Sequence, residues 1–84
     1  KMKILREVVV YEKEGDRFIE SFEINLPIEK LIEILNVDIE DDPELYNVYE
    51  INKNQFLKLL ELVSDLSTIN FDEVAVYYEC CQIE

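Results

Sequence analysis

The chain contains no histidine and no tryptophan, and it has a single glycine among its 84 residues. Without histidine, the commonest general base and metal ligand of proteins is missing. With Gly15 as the only glycine, no glycine-rich loop is available to hold a phosphate group. None of the serine and threonine residues stands in a nucleophile motif. We therefore expect a protein that is not an enzyme and has no catalytic residues.

Cysteine is limited to the adjacent residues Cys80 and Cys81, a spacing that matches neither a C-x-x-C redox motif nor a zinc-binding pair. Because a disulfide between neighbours needs a strained backbone, we expect two free thiols on opposite faces of a strand. No apolar run approaches the ~20 residues of a membrane span, and no signal-peptide pattern opens the chain. We expect a cytoplasmic protein in which Met2 is the initiator and Lys1 an added residue.

Basic residues are scarce, since 8 lysines and arginines face 20 aspartates and glutamates, for a formal net charge of −12 at pH 7. The acids are segregated: residues 31–52 hold seven and residues 59–84 hold six, with no base in either stretch, whereas residues 1–17 are nearly balanced. A field of this sign opposes binding to nucleic acid or anionic lipid and speeds association with a basic protein. A charged surface that serves only solubility is the alternative.

The apolar content of 49% is enough for one small core, so we expect a single domain over residues 1–84. Apolar periodicity predicts strands at residues 4–11, 17–24, 45–51 and 73–83, and helices at residues 27–36 and from residue 52 to a break at residue 64. Gly15 is expected in a hairpin turn, Pro27 in the first turn of a helix, and Asn52 with Gln55 in a capping box.

Each predicted helix is apolar on one side only, which indicates that both pack on the same face of one sheet. The predicted fold class is α+β, a two-layer sandwich of a four-stranded, mainly antiparallel sheet with two helices on one face. The element order is β-β-α-β-α-β. The order of the strands within the sheet stays open at this point.

The predicted loop after the first helix, residues 37–44, concentrates carboxylates around Pro43: Asp38, Glu40, Asp41, Asp42 and Glu44. Acids alternate along it as the early ligands of a calcium loop do, but the sixth and twelfth positions hold Pro43 and Tyr49 instead of the required glycine and glutamate. We therefore expect a solvated acidic loop, with no dedicated metal site and no cofactor.

All five tyrosines fall in predicted strands, and a sheet covered on one face leaves some of them exposed. If Tyr78 points to the core, Tyr77 points outward, near Glu79. Tyr46 and Tyr49 directly follow the acidic loop. A tyrosine rimmed by carboxylates is typical of a protein interface, and the alternative is that each tyrosine only packs the sheet or a homodimer.

The segment Asp41-Asp42-Pro43-Glu44-Leu45-Tyr46 is followed by Tyr49 and preceded by a hairpin that opens with VVVYEKEG and by a helix that starts at a proline. In these features the chain resembles small acidic immunity proteins of bacterial polymorphic toxin systems, including contact-dependent growth inhibition. The resemblance implies a protein that binds one cognate toxin domain, often a nuclease with a basic groove, and blocks it in the cytosol.

The resemblance places Asp41, Asp42, Tyr46 and Tyr49 in the toxin-facing set, and charge and expected exposure add Asp38, Glu40 and Glu44. The open sheet face with Tyr77 and Glu79 is a second candidate surface. The expected mechanism is occlusion, in which carboxylates pair with the basic groups of the toxin's active site. The alternatives are a DNA-mimic inhibitor and an acidic regulatory or homodimeric module, and the oligomeric state stays open.

Overall fold

A computed structural model describes residues 2–83 of the chain. The strands and α-helices follow the predicted order β-β-α-β-α-β, with two short 3-10 helices ahead of the last strand. The elements are β1 (Lys3–Glu12), β2 (Phe18–Glu23), α1 (Ile28–Leu35), β3 (Tyr49–Glu50), α2 (Lys53–Leu62) and β4 (Val74–Ile83), and the 3-10 helices span Ser64–Thr68 and Phe71–Glu73. Within the described residues, no helix has the length and apolar character that crossing a membrane requires.

The four strands form one sheet in the order β2-β1-β4-β3, and every neighbouring pair is antiparallel. The long strands β1 and β4 lie at the centre and pair over their whole length. The predicted α+β fold with a mainly antiparallel sheet is confirmed. The parallel neighbours that a β-α-β connection permits do not occur among the described strands, because the last strand inserts beside the first.

Both helices pack on one face of the sheet, as predicted. On this covered face, apolar side chains of β1 and β4 join the inward stripes of α1 and α2 in one core: Val8, Val10, Val76, Tyr78, Leu31, Ile34, Leu35, Phe56 and Leu59. Because successive strand residues point to opposite faces, the residues between them form the open face of the sheet. The open face of β1 and β4 carries Glu7, Val9, Tyr11, Tyr77 and Glu79.

The helix ends follow from local hydrogen bonding. Asn52 caps α2 through a capping box, in which its side chain accepts from the Gln55 N–H at 2.8 Å and the Gln55 side chain accepts from the Asn52 N–H at 2.9 Å. This confirms the prediction. Pro27 lies one residue before its predicted place, at the N-cap of α1, where its carbonyl accepts from Lys30 and Leu31. Asn36 ends α1 in the left-handed conformation at φ 56°.

Two connections differ in detail from the sequence patterns. The hairpin turn places Gly15 at φ 93° as expected, and Asp16 follows at φ 56°. The predicted strand over residues 45–51 was wrong in its first half, because only Tyr49 and Glu50 pair with β4. Leu45 has φ 57°, a left-handed conformation that turns the chain and cannot continue a strand.

Candidate functional site

The acidic loop, residues 37–48 in the structure, connects α1 to β3. It opens with a turn in which the carbonyl of Asp38 accepts from the N–H groups of Asp41 and Asp42, each at 3.0 Å. The Asp38 carboxylate also accepts from the N–H of Glu40 at 3.0 Å. A short aspartate side chain commonly stabilises a turn in this way. The first part of the loop therefore has a defined conformation set by its own residues.

Asp42 is the organising residue of the second part. It is the only buried polar or charged residue in residues 2–83, at 6% exposure. Its Oδ1 accepts from the N–H of Tyr46 at 3.0 Å, and its Oδ2 accepts from the N–H of Asn47 at 3.0 Å and from the hydroxyl of Tyr49 at 2.6 Å. The hydrogen bond from Tyr49 is the main cause that lowers the pKa of Asp42. The same bond raises the pKa of Tyr49 to about 12.

Arg6 and Tyr78 tie the acidic loop to the covered face of the sheet. The Nη1 atom of Arg6 donates to the carbonyls of Glu44 and Leu45, each at 3.1 Å, and to the Tyr78 hydroxyl at 2.8 Å. That hydroxyl donates in turn to the Leu45 carbonyl at 2.9 Å. Burial raises the pKa of Tyr78 to about 12, so it remains a donor at neutral pH. Because the Leu45 side chain is fully buried, the loop is held from both its backbone and its side chains.

The predicted toxin-facing residues of the loop separate into two groups. Asp38, Glu40, Asp41, Glu44 and Tyr46 are exposed, with Tyr46 at 50%. Asp42 is buried and Tyr49 is half-buried, and the two bind each other. Their place in the toxin-facing set stays a prediction, and the Asp42 carboxylate already accepts three hydrogen bonds from within the chain.

The second predicted surface, the open sheet face, carries Tyr77 and Glu79 side by side on β4, both half-buried. Tyr11 crosses from β1 and donates a hydrogen bond to Oε2 of Glu79. This bond is the main cause that raises the pKa of Tyr11 to about 12. The Tyr11 ring also meets Tyr77 and Phe18 edge to face, at 5.6 and 6.4 Å between ring centres. The predicted outward direction of Tyr77, opposite to Tyr78, is confirmed.

Three glutamates form a row across the open face. Glu7 of β1 lies directly opposite Glu23 of β2 on one side and Glu79 of β4 on the other. The salt bridges among residues 2–83 join Arg17 to Glu12 and two lysines to acids elsewhere, and none reaches this row. Like charges placed directly opposite each other destabilise a sheet, so the row opposes folding.

One protein family matches nearly the whole of the fold described above. A family described as a domain of unknown function, DUF7683, matches residues 5–80. The chain belongs to this family. The match begins within β1 and ends within β4, and therefore includes the acidic loop, Arg6, Tyr11, Tyr77 and Glu79. No curated protein and no solved structure matches the chain.

The candidate metal ligands of this DUF7683 domain do not form a cluster in the part of the chain that the structure describes. Within residues 2–83 there is no group of three or more histidine, cysteine, aspartate or glutamate side chains that could hold an ion. Of the alternating acids in the loop, Asp42 has both oxygens committed to internal donors. Cys80 and Cys81 are free thiols, and only Cys81 is exposed.

Sequence reasoning missed two residues that organise these surfaces. The charge balance of residues 1–17 gives Arg6 no structural role, although it alternates with Val8 and Val10 and therefore shares their inward face. A lone arginine at an inward strand position signals that a polar partner lies within the fold. Tyr11 was treated as one of five equivalent tyrosines, and nothing in its sequence spacing predicts its contact with Glu79, 68 residues away.

Proposed function

We propose that this DUF7683 domain is an immunity protein that binds a cognate toxin domain with a basic active site and neutralises it. The observation that carries the proposal is the construction of the acidic loop. Buried Asp42 and half-buried Arg6 hold its backbone, while Asp41, Glu44 and Tyr46 extend from it into solvent. A loop held in one conformation before binding loses less conformational entropy when a partner arrives.

The exposed groups of the loop have the chemistry of an interface with a basic partner. Carboxylates form short, strong hydrogen bonds with lysine and arginine, and these are the residues that hold phosphates in a nuclease groove. Tyr46 supplies apolar area together with a hydroxyl. A nuclease is therefore the toxin activity that fits this surface best, and the inhibitor acts in the cytoplasm, where such a toxin meets its substrate.

The first experiment pairs the tagged chain with lysate and with any toxin domain encoded immediately upstream, and measures the stoichiometry, affinity and association rate of the complex. We expect a one-to-one complex of nanomolar affinity that abolishes toxin activity. The association rate should fall steeply with salt, because the Debye length shrinks from ~10 Å at ~0.1 M to ~3 Å at ~1 M. Absence of a tight complex would overturn the proposal.

A double charge reversal, Asp41→Lys with Glu44→Lys, tests whether the loop is the binding surface. Neither side chain makes a hydrogen bond or salt bridge within residues 2–83, so the fold should tolerate both changes. We expect the association rate at ~0.1 M salt to fall by about tenfold or more. The matched control, Asp65→Lys with Glu73→Lys, changes the net charge equally at exposed sites outside the loop.

If the control slows association as much as the loop variant, total charge and not the loop steers the partner. A different outcome separates the DNA-mimic alternative. Inhibition of several unrelated DNA-binding proteins with similar affinity would favour a mimic, whereas one tight partner favours an immunity protein.

A further inference from the structure

The open sheet face carries a cleft whose lining includes none of the exposed acids of the acidic loop. It has a volume of about 270 Å³ and is lined by Tyr11, Asp16, Val48, Tyr77 and Glu79. Val48 is the last residue of the acidic loop and is exposed. The cleft therefore continues the acidic loop's surface onto the sheet.

Contacts within the protein hold the two tyrosine rings that line the cleft. Tyr11 is held by its hydrogen bond to Glu79 and meets Tyr77 edge to face, with the two ring planes at 78°. Val9, between Glu7 and Tyr11 on the open face, is only 4% exposed although no helix covers that face. Val9 lies directly opposite Tyr77 in the register of β1 and β4, which places the Tyr77 side chain beside it on the open face. A ligand entering the cleft need not order these rings first.

The carboxylates and tyrosine rings of the cleft favour the binding of a cation. Glu79 and Asp16 place two carboxylates in its lining, and Glu7 and Glu23 continue the row of glutamates from Glu79 across the face. Within residues 2–83, no salt bridge joins a lysine or arginine to any of these four acids. Tyrosine faces attract cations through the ring quadrupole. The cleft thus combines two cation-attracting features without an internal cation.

We propose that this cleft binds the guanidinium group of an arginine side chain presented by a basic protein partner. The planar group stacks on the face of one tyrosine ring while its N–H fork donates to the carboxylates of Glu79 and Asp16. Lysine has a compact ammonium that cannot stack or donate in this planar way. The proposal depends on the proposed function in one respect, which is that the partner is a protein. The chemistry of the cleft itself is independent of it.

A second copy of the chain does not fit this face. In a two-fold dimer the same surface would meet itself, so the glutamate row of one protomer would oppose that of the other. With a formal net charge of −12, the two chains also repel each other at long range. Charge complementarity therefore selects a basic partner over self-association.

The test uses the whole chain, isotope-labelled for NMR, and titrates it with N-acetyl-arginine amide. We expect chemical-shift changes concentrated at Tyr11, Val48, Tyr77 and Glu79, with weak affinity that falls as salt is added. The neutral isostere N-acetyl-citrulline amide should cause much smaller changes, and N-acetyl-lysine amide should bind more weakly than the arginine compound. Equal binding of citrulline, or shifts confined to residues 38–46, would overturn the proposal.

Two cleft variants and one control variant sharpen the test. Glu79→Gln keeps an acceptor for Tyr11 and removes only the charge, so affinity for the arginine compound should fall about two- to fivefold. Glu61→Gln makes the same change on α2, away from the open face, and should leave affinity unchanged. Tyr77→Leu removes a ring face and should weaken binding similarly, with retained spectral dispersion showing that it folds. Unchanged affinity in both cleft variants would contradict the proposal.

The failure of this proposal is distinguishable from failure of the proposed function. Arginine binding in the cleft without any toxin complex would leave the cleft standing and remove the immunity role. A tight toxin complex that leaves the cleft signals unmoved would do the reverse.

Discussion

The two faces of the sheet differ in whether their polar side chains have partners within the protein. On the covered face, Arg6 and Tyr78 point inward beneath the helices and the acidic loop, and both are hydrogen-bonded. No buried side-chain nitrogen or oxygen in residues 2–83 lacks a partner. On the open face, Glu7 lies between two further glutamates without a neutralising cation in that part of the chain.

The difference between the two faces follows from the cost of burying a polar group. A buried polar group without a partner costs stability, so the covered face must satisfy its own arginine and tyrosine. A charge near solvent costs much less, so the open face and the exposed side of the acidic loop can keep an excess of acid. Within residues 2–83, Glu7 and Glu23 have no salt bridge, whereas Glu79 accepts a hydrogen bond from Tyr11.

The largest expected effect comes from breaking the covered face with Arg6→Met. This change keeps an apolar stem but removes the donor to the Glu44 and Leu45 carbonyls. We expect a loss of about 1–3 kcal/mol in the free energy of unfolding, measured by urea denaturation. Lys3→Met removes an exposed cation from the same strand and should cost less than about 0.5 kcal/mol. Equal losses in the two variants would show that the loop is not anchored by Arg6.

An intermediate effect is the pH dependence that Asp42 confers. The Tyr49 hydroxyl holds the pKa of the folded-state carboxyl below its ordinary value of 3.8, so the carboxylate contributes stability that is fully present above that value. The contribution is lost as the pH falls through the folded-state pKa. We therefore expect Asp42→Asn to be less stable than the native chain near neutral pH and the difference to shrink below a pH of about 4.

Thermal unfolding monitored by circular dichroism between neutral and acidic pH would measure this convergence. Asp41→Asn makes the same chemical change at the exposed neighbour and should unfold within about 2 °C of the native chain at neutral pH. A stability difference for Asp42→Asn that stays constant with pH would mean that the hydrogen bonds survive protonation of the carboxyl.

The smallest expected effect comes from removing one charge on the open face. Glu7→Gln removes the central charge of the glutamate row, so the protein should gain about 0.2–1 kcal/mol in unfolding free energy. The gain should diminish as salt screens the repulsion. Glu29→Gln, in the first turn of α1, removes a charge from a favourable position and should not stabilise. Destabilisation by Glu7→Gln would show that the row contributes to the fold.

Local chemistry predicted much of this structure. The capping box of Asn52 and Gln55, the turn at Gly15 and the alternation that separates Tyr77 from Tyr78 depend on residues close together in the chain. The acidic loop was also predicted as a loop. Its extension through residues 45–48 was not, because the apolar composition of that stretch is typical of a strand. In the structure Asp42 accepts from the N–H groups of Tyr46 and Asn47, and distant Arg6 donates to the Leu45 carbonyl.

The sequence by itself determined the α+β class, the order of elements and the segregation of acid, because these depend on periodicity and composition. Tertiary structure alone decided that β4 inserts beside β1, that Asp42 is buried while Asp41 is exposed, and that Tyr11 reaches Glu79. Adjacent acids have the same local propensities. Asp42 becomes an internal acceptor because the chain turns at Leu45, which brings the N–H groups of Tyr46 and Asn47 to its carboxylate. The distant residues Arg6 and Tyr78 act one step away, since they hold the Leu45 carbonyl and not the Asp42 carboxylate.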